Sequence, residues 1–275
     1  MSELVGSWID GAPANAVPLD DRGLQYGDGL FETMSVRDGR VRFLDVHLAR
    51  LALGCARLAI PFNAEDALRT EIASASARVP AAAVLKVIVT RGSGLRRGYA
   101  PAGAARPRRL MTLFVAPPMP LVDDGVDTRL AAMTAAENPA LAGVKHLNRL
   151  ENVLAASEAG HGAVFESLLR NATGYVVGGT MSNVFVVRNG RLTTPRVDRC
   201  GVAGVMRAVV LRECALLGIG ADVEPLTLES LLAADEAFIT NARIGVVPVR
   251  RVGEHSIRMA TIAQRLRAHI ENLDA

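Results

Sequence analysis

The chain has 275 residues, half of them hydrophobic and 21% charged, with a formal net charge of only +3. That balance describes a globular protein with a sizeable core, in one large domain or two modest ones, and lacks the polar bias of disorder. The small positive excess favours anionic small molecules only slightly and gives no ground for nucleic acid as a partner. No apolar run approaches the roughly 20 residues that a bilayer core requires, so no membrane association is expected. Met1 to Trp8 lack the basic and apolar regions of a secretory signal, and a cytoplasmic location is the expectation. Cys55, Cys200 and Cys214 are widely spaced and odd in number, and the histidines form no ligand pair. Neither a disulfide framework nor a metal is expected.

Trp8 and Ile9 read as a first short strand ahead of Asp10-Gly11, and Pro13 and Pro18 keep the next segment extended. In residues 21–36 glycines then crowd a polar stretch just before an alternating, strand-like run. Such a loop suits close approach of a ligand or of a packed neighbour, or is a plain surface turn. Asp38-Gly39 makes a hairpin turn between 34–36 and 41–44. Val46, Leu48, Leu51, Leu53 and Leu58 predict a helix over 45–58, with Asp45 as its N-cap and Arg50 inside it. A second helix is predicted over 64–77 and a buried strand over 83–90. The loop from Arg91 to Pro101, rich in glycine and arginine with Tyr99 its one aromatic, suits a carboxylate-bearing small molecule better than a nucleic acid, or is simply solvated. A strand over 110–115 runs into Ala116-Pro117-Pro118-Met119-Pro120. The expected domains are therefore 1–115 and 123–275, joined by a linker at 116–122.

The second part opens with a strand over 126–132 and then reaches Lys145. Of the 31 lysines and arginines only Lys86 and Lys145 are lysine, leaving 29 arginines. An ammonium can lose its proton near neutral pH and act as a nucleophile, a base or a Schiff-base donor, which a guanidinium cannot. Lys86 falls in a central strand, where its stem is expected to run past a sheet edge toward solvent. Lys145 is placed where extended chain enters a helix bearing Leu147, Leu150, Val153 and Leu154, and the positive end of that helix is expected to lower its pKa. Strands follow over 164–169 and 175–177, and Asn189-Gly190 turns a hairpin between 184–187 and 192–194. Gly201 to Arg207 feeds a helix that stops at Gly218. A glycine-rich loop opening a helix is a phosphate cradle in outline, although the Lys-Ser/Thr of a Walker motif is absent. Thr227 caps a helix to Ala234, strands lie over 236–242 and 246–249, and a helix over 259–273 closes the chain.

Several of these stretches, spread over nearly the whole chain, resemble the fold type IV pyridoxal-phosphate enzymes, the group of branched-chain and D-amino-acid aminotransferases and 4-amino-4-deoxychorismate lyase. They are Asp-Arg-Gly-Leu-Gln-Tyr-Gly-Asp-Gly-Leu-Phe-Glu-Thr at 21–33, His47-Leu48-Ala49-Arg50-Leu51, Arg91-Gly92-Ser93-Gly94, Lys145-His146-Leu147-Asn148-Arg149-Leu150-Glu151, Ser182-Asn183-Val184-Phe185 and Gly201-Val202-Ala203-Gly204-Val205-Met206-Arg207. The resemblance implies a two-domain α/β (α+β) fold, with a smaller N-terminal α/β domain and a larger C-terminal domain built on a barrel-like sheet, assembled as a homodimer. It implies pyridoxal 5'-phosphate in the cleft between the domains. Lys145 would be its Schiff-base lysine and the catalytic base. Arg50 would take the cofactor phosphate together with Val205, Met206, Thr240 and Asn241, while Gly178 and Asn183 would also line the cofactor. Tyr26, Thr33, Arg91, Arg97 and Tyr99 would face the substrate.

The lysine block, Arg97-Gly98-Tyr99 and the compact length look most like the lyase branch. That implies conversion of 4-amino-4-deoxychorismate to 4-aminobenzoate and pyruvate, a step of folate synthesis. An aminotransferase for branched-chain or D-amino acids is the alternative within the family. A cofactor-binding protein of weakened catalysis is a further alternative, because Gly178 stands where the family pattern has the glutamate that pairs with the pyridine nitrogen.

Overall fold

The structure, a computed structural model, describes residues 3–79, 82–93, 98–101, 106–116, 124–158, 160, 164–258 and 261–273. By its contacts the chain divides into two units, each with its own sheet. Lys145–Asn148 group with the N-terminal unit, whereas Val144 and Arg149 belong to the second. Of the expected 116–122 linker, only Ala116 lies within the described residues.

The first unit is a six-stranded antiparallel sheet of β1 (Leu4–Ile9), β2 (Ala12–Pro13), β3 (Gly29–Arg37), β4 (Arg40–Val41), β5 (Ala83–Thr90) and β6 (Arg108–Val115), in the order β2-β1-β6-β5-β3-β4. Asp38 and Gly39 turn the β3–β4 hairpin with positive φ at both positions, 50° and 73°, as the Asp-Gly pair predicts. Alternation decides the faces. Leu30, Met34 and Val36 of β3 and Leu85, Val87 and Val89 of β5 are buried, whereas Phe31, Thr33, Val84 and Ile88 are partly exposed. Helices α2 (Leu44–Arg57) and α3 (Glu65–Ser76) supply the apolar cover, with Leu48, Leu51, Cys55, Leu68 and Ile72 all buried. A short helix α1 (Arg22–Tyr26) precedes β3 and is capped by the Asp21 carboxylate on Gly23 N–H. Asp45 is not the N-cap expected of it. The chain leaves β4 through Phe43 at φ 56°, so α2 starts one residue earlier, and Asp45 lies in the first turn, where it pairs with Arg69 at 2.7 Å.

The second unit holds nine strands: β7 (Val126–Ala135), β8 (Glu166–Asn171), β9 (Val176–Gly179), β10 (Asn183–Arg188), β11 (Arg191–Thr194), β12 (Ala221–Val223), β13 (Glu236–Asn241), β14 (Gly245–Val252) and β15 (His255–Ser256). Their order is β12-β11-β10-β13-β14-β7-β8-β9, with β15 on β14, and the sheet curls into a half-barrel. The pairs β11–β12, β14–β7 and β7–β8 are parallel. Helices α4 (Leu150–Ser157), α5 (Val205–Leu216), α6 (Leu228–Leu232) and α7 (Thr261–Glu271) complete the unit. β10 is apolar without alternation because both its faces are covered: Val184 and Val186 join the core with Ile239, Val247 and Val249, while Phe185 stacks on Phe238 at 4.9 Å. Glu236 turns a buried carboxylate to the start of α7, accepting from Ala263 N–H at 3.0 Å. Among the described residues no helix is long and apolar enough to cross a membrane, and no cluster of acidic, His and Cys side chains has the makings of a metal site.

Leu85 is fully buried at the centre of the first sheet. Leu85→Ala should therefore lower unfolding free energy by about 2–5 kcal/mol in a urea titration.

Candidate active site

Lys145 is held by backbone pairing to β3. Its carbonyl accepts from Phe31 N–H at 3.0 Å, Leu147 N–H donates to Gly29 carbonyl at 3.0 Å, and His146 bridges Leu30 in antiparallel fashion. The glycines at 27 and 29 make room for this segment. A Cβ on Gly29 would lie 2.5 Å from the Val89 carbonyl oxygen and 2.9 Å from Leu147, and one on Gly27 would run into the Asn148 side chain. Close approach of a packed neighbour, one of the readings open for this loop, is observed at Gly27 and Gly29. The Lys145 ammonium lies 4.1 Å from the Phe31 ring centre, over its face. Helix α4 begins only at Leu150, so its positive end is not at Lys145, contrary to expectation; the backbone from 145 to 147 is committed to β3 instead. Lys86 is exposed on the face of β5 rather than past an edge, with its ammonium 5.4 Å from the same Phe31 ring.

Next to Phe31, and on the opposite face of β3, Glu32 is buried against α2. Its Oε1 accepts from Arg50 Nε at 2.8 Å, and its Oε2 meets Arg50 Nη2 at 2.5 Å and His47 Nδ1 at 2.6 Å. Burial pushes the Glu32 carboxyl up, but the bonds from His47 and Arg50 and the Arg50 charge overcome this and hold it below the ordinary carboxylate value. Burial also pushes the His47 imidazole below its usual value; Glu32 opposes that, and the charges of Arg50 and Lys145 reinforce it. With Glu32 ionised and His47 neutral, Nδ1 carries the proton. The buried Nε2 is then a bare acceptor, and it has no hydrogen-bond partner.

Arg91, expected at a substrate carboxylate, is instead buried in the first unit's own framework. It pairs with Asp28 at 2.8 Å and donates to the carbonyls of Leu58 and Ala59, both at 2.7 Å. Arg22, which the sequence reading passed over, binds the same Asp28 at 2.8 Å and donates to the carbonyls of Gly98 and Tyr99 at 3.0 and 2.7 Å. Burial raises the Asp28 carboxyl, and the two guanidiniums more than reverse it. Tyr26 is half-buried, in edge contact with the exposed Tyr99 at 5.6 Å, and Thr33 shares the partly exposed face of β3 with Phe31. Arg97 lies outside the described residues.

In the second unit α5 starts at Val205 behind Gly204, with no side-chain cap and no acid in its first turn, so the N–H groups at Val205 and Met206 meet no carboxylate from their own helix. Asn183 donates to the Val202 carbonyl at 2.9 Å, tying β10 to the loop before α5. Arg207 in that first turn is buried with a single bond, to the Pro195 carbonyl at 3.0 Å; its Nε has no partner, and burial lowers its pKa. Thr240 turns its hydroxyl inward to the Gly245 carbonyl at 2.7 Å, and Asn241 uses its side chain on Met181, Arg243 and Ile244 backbone. What the 240–242 turn offers a ligand is therefore backbone rather than these two side chains. Gly178 is closely overlain: a Cβ there would lie 2.9 Å from the Ser182 carbonyl oxygen, at φ 159°.

The chain belongs to the amino-transferase class IV family, whose profile matches residues 29–252. It is similar to the crystal structure of 4-amino-4-deoxychorismate lyase from Pseudomonas aeruginosa, with 43% identity, a TM-score of 0.93 and coverage of 98% of this chain and 100% of that one. It is 35% identical over 244 residues to an aminodeoxychorismate lyase of Vibrio harveyi, covering 88% of this chain and 89% of the relative. A putative branched-chain-amino-acid aminotransferase of Methanocaldococcus jannaschii is 36% identical over 255 residues, covering 90% and 85%.

The family is pyridoxal-phosphate-dependent, and the residues present fit that group. The first unit supplies the Lys145 amine and the outward-reaching Arg50 guanidinium; the second, taken by itself, supplies a helix start with no acid in its first turn, beside which the buried Arg207 Nε has no partner.

Two outcomes follow from this geometry. Because the folded pKa of His47 lies below its ordinary 6.5, the unfolded chain gains a proton first as pH falls. Stability should drop below about pH 6.5, and it should drop again as pH falls through the lowered Glu32 pKa. His47→Gln should remove the first step from a plot of Tm against pH. Gly178→Ala, which places a Cβ against the Ser182 carbonyl, should lose about 1–3 kcal/mol in denaturant unfolding, and wild-type stability in that variant would contradict the crowding described.

Proposed function

We propose that the protein is a lyase that converts 4-amino-4-deoxychorismate to 4-aminobenzoate and pyruvate, in the synthesis of folate. The observation that carries this reading is the 43% identity and 0.93 TM-score to the Pseudomonas aeruginosa lyase over nearly the whole of both chains. Pyridoxal phosphate, when bound, supplies the electron sink of the reaction. Lys145 Nζ is the proposed base, taking the ring proton adjacent to the substrate amine. As that proton leaves, the carbon–oxygen bond to the enolpyruvyl group breaks, the ring becomes aromatic, and the departing enol takes up a proton to become pyruvate. Arg50 is the proposed phosphate ligand, a guanidinium matching phosphate better than an ammonium does. Backbone N–H groups of Val205 and Met206 and of the 240–242 turn are the proposed further donors. Asn183 is proposed to hold the loop before α5, and Tyr26, Thr33, Tyr99 and Arg97 to meet the substrate. The exposed apolar residues of α4, Leu150, Val153 and Leu154, support assembly as a homodimer.

An aminotransferase is the second reading, favoured by the 36% identity to the Methanocaldococcus relative. Gly178 weighs against it. With no carboxylate at that position, charge withdrawal is weaker, and amine transfer requires negative charge to persist until another carbon is protonated. Elimination and aromatisation drain the same electrons at once.

The test is an assay of purified protein supplied with pyridoxal phosphate. We expect 4-aminobenzoate release with almost no amine transfer to a keto acid, and borohydride treatment should fix the pyridoxyl group on Lys145 in a peptide map. Efficient amine transfer without 4-aminobenzoate would select the second reading, and labelling at Lys86 would remove Lys145 from its role.

A further inference from the structure

Glu32 occupies a position that packing alone would give to an apolar residue. It points to the same face of β3 as Leu30 and Met34, which are 2% and 0% exposed, and is itself 1% exposed. Taking a carboxylate out of water at such a place is strongly unfavourable unless it is paired, and hydrophobic residues of similar volume often serve stability as well or better. The two groups that meet it are three residues apart on α2 and share one helix face. Both carboxylate oxygens grip the same edge of the Arg50 guanidinium, Nε at 2.8 Å and Nη2 at 2.5 Å, and this side-on pairing fixes both the plane and the rotation of the fork. His47 holds the carboxylate from behind at 2.6 Å. Side-chain exposure rises along the series, 0% for His47, 1% for Glu32 and 16% for Arg50, so only the guanidinium end reaches outward.

We propose that Glu32, backed by His47, is the positioning residue for Arg50, setting the guanidinium in the orientation in which it receives a phosphate. This rests on the reading that Arg50 holds the cofactor phosphate. A purely structural role for the buried pair would lower stability and weaken all ligands alike. Positioning weakens only those ligands that carry a phosphate.

The experiment compares dissociation constants for pyridoxal 5'-phosphate and for pyridoxal, which lacks the phosphate, by absorbance titration of the wild-type protein and variants, with Tm measured alongside. Glu32→Gln should cut the preference for the phosphorylated form by about 10- to 100-fold while leaving pyridoxal affinity within about twofold, the range expected for hydrogen bonds to a charged group. His47→Gln should cut it less, and Glu32→Asp, which keeps the charge, should recover part of it. A Glu32→Gln/Arg50→Ala double variant should be no worse than Arg50→Ala alone. An unchanged preference in Glu32→Gln, or an equal loss for both ligands, overturns the proposal. If Arg50→Ala itself leaves the preference intact, the phosphate reading fails; if Arg50→Ala removes it and Glu32→Gln does not, only the positioning role fails. Should Glu32→Gln not fold, Glu32→Asp carries the same test, with unchanged preference again the overturning result.

Discussion

The backbone bonds that seat residues 145–147 on β3 set the terms for the rest of the first unit. β3 is paired along one side by β5 from Gly29 to Val36, but on the other side β4 reaches only Val36 and Arg37. The N-terminal half of β3 would otherwise present unpaired N–H and C=O groups, an unfavourable state for a buried edge. Lys145 and Leu147 fill that edge at Phe31 and Gly29. A lysine fixed through its backbone to a central element has its side chain aimed by the sheet rather than by a loop, and rigid support of that kind is what precise chemistry needs. The same strand carries Glu32 toward α2, so one stretch of three residues, Leu30 to Glu32, organises the lysine on one side and the arginine on the other.

Much of this was legible in the sequence because local signals and tertiary demands agreed. Asp38-Gly39 and Asn189-Gly190 turn hairpins as their composition requires, and Leu48 and Leu51 of α2 are buried as their spacing predicts, although Leu53 is exposed; the strand over 83–90, expected to be buried, instead leaves Val84, Lys86 and Ile88 on a partly exposed face. The fold class, a mixed α/β chain with a curled sheet in its second part, was implied by the family resemblance that the motifs at 21–33, 145–151 and 201–207 carry. Where the reading departed from the structure, a partner distant in sequence had intervened. Periodicity from Leu147 onward suggested that a helix starts at Lys145, but pairing with β3 keeps 145–147 extended and delays α4 to Leu150.

The buried polar residues were the least legible part. A glutamate at a core position of a strand looks like an error of alternation until two helical residues from elsewhere in the chain are seen to meet it. The signal was present in Phe31-Glu32-Thr33 and in the three-residue spacing of His47 and Arg50, but spacing along α2 does not reveal what lies across from it. Arg91 shows the opposite confusion: an arginine beside glycines reads as a ligand for an anion, and only Asp28 and the Leu58 and Ala59 carbonyls, well separated in sequence, show that four of its five N–H donors serve the framework.

Gly178 is best understood together with Glu166. The Glu166 carboxylate is 2% exposed. It accepts from Ser167 N–H and Thr180 N–H at 2.9 Å, the Thr180 hydroxyl at 2.6 Å, Met181 N–H at 3.2 Å and the Ser182 hydroxyl at 2.7 Å. The four bonds from Thr180, Met181 and Ser182 fix the turn from 180 to 182, and Gly179 N–H holds the Ser182 carbonyl at 2.8 Å. That carbonyl is the atom a side chain at 178 would strike, and a turn locked through a buried carboxylate cannot yield by a few tenths of an ångström without loosening several charge-assisted bonds at once. The absence of an acid at 178 is thus built into the surrounding backbone rather than being a single missing side chain.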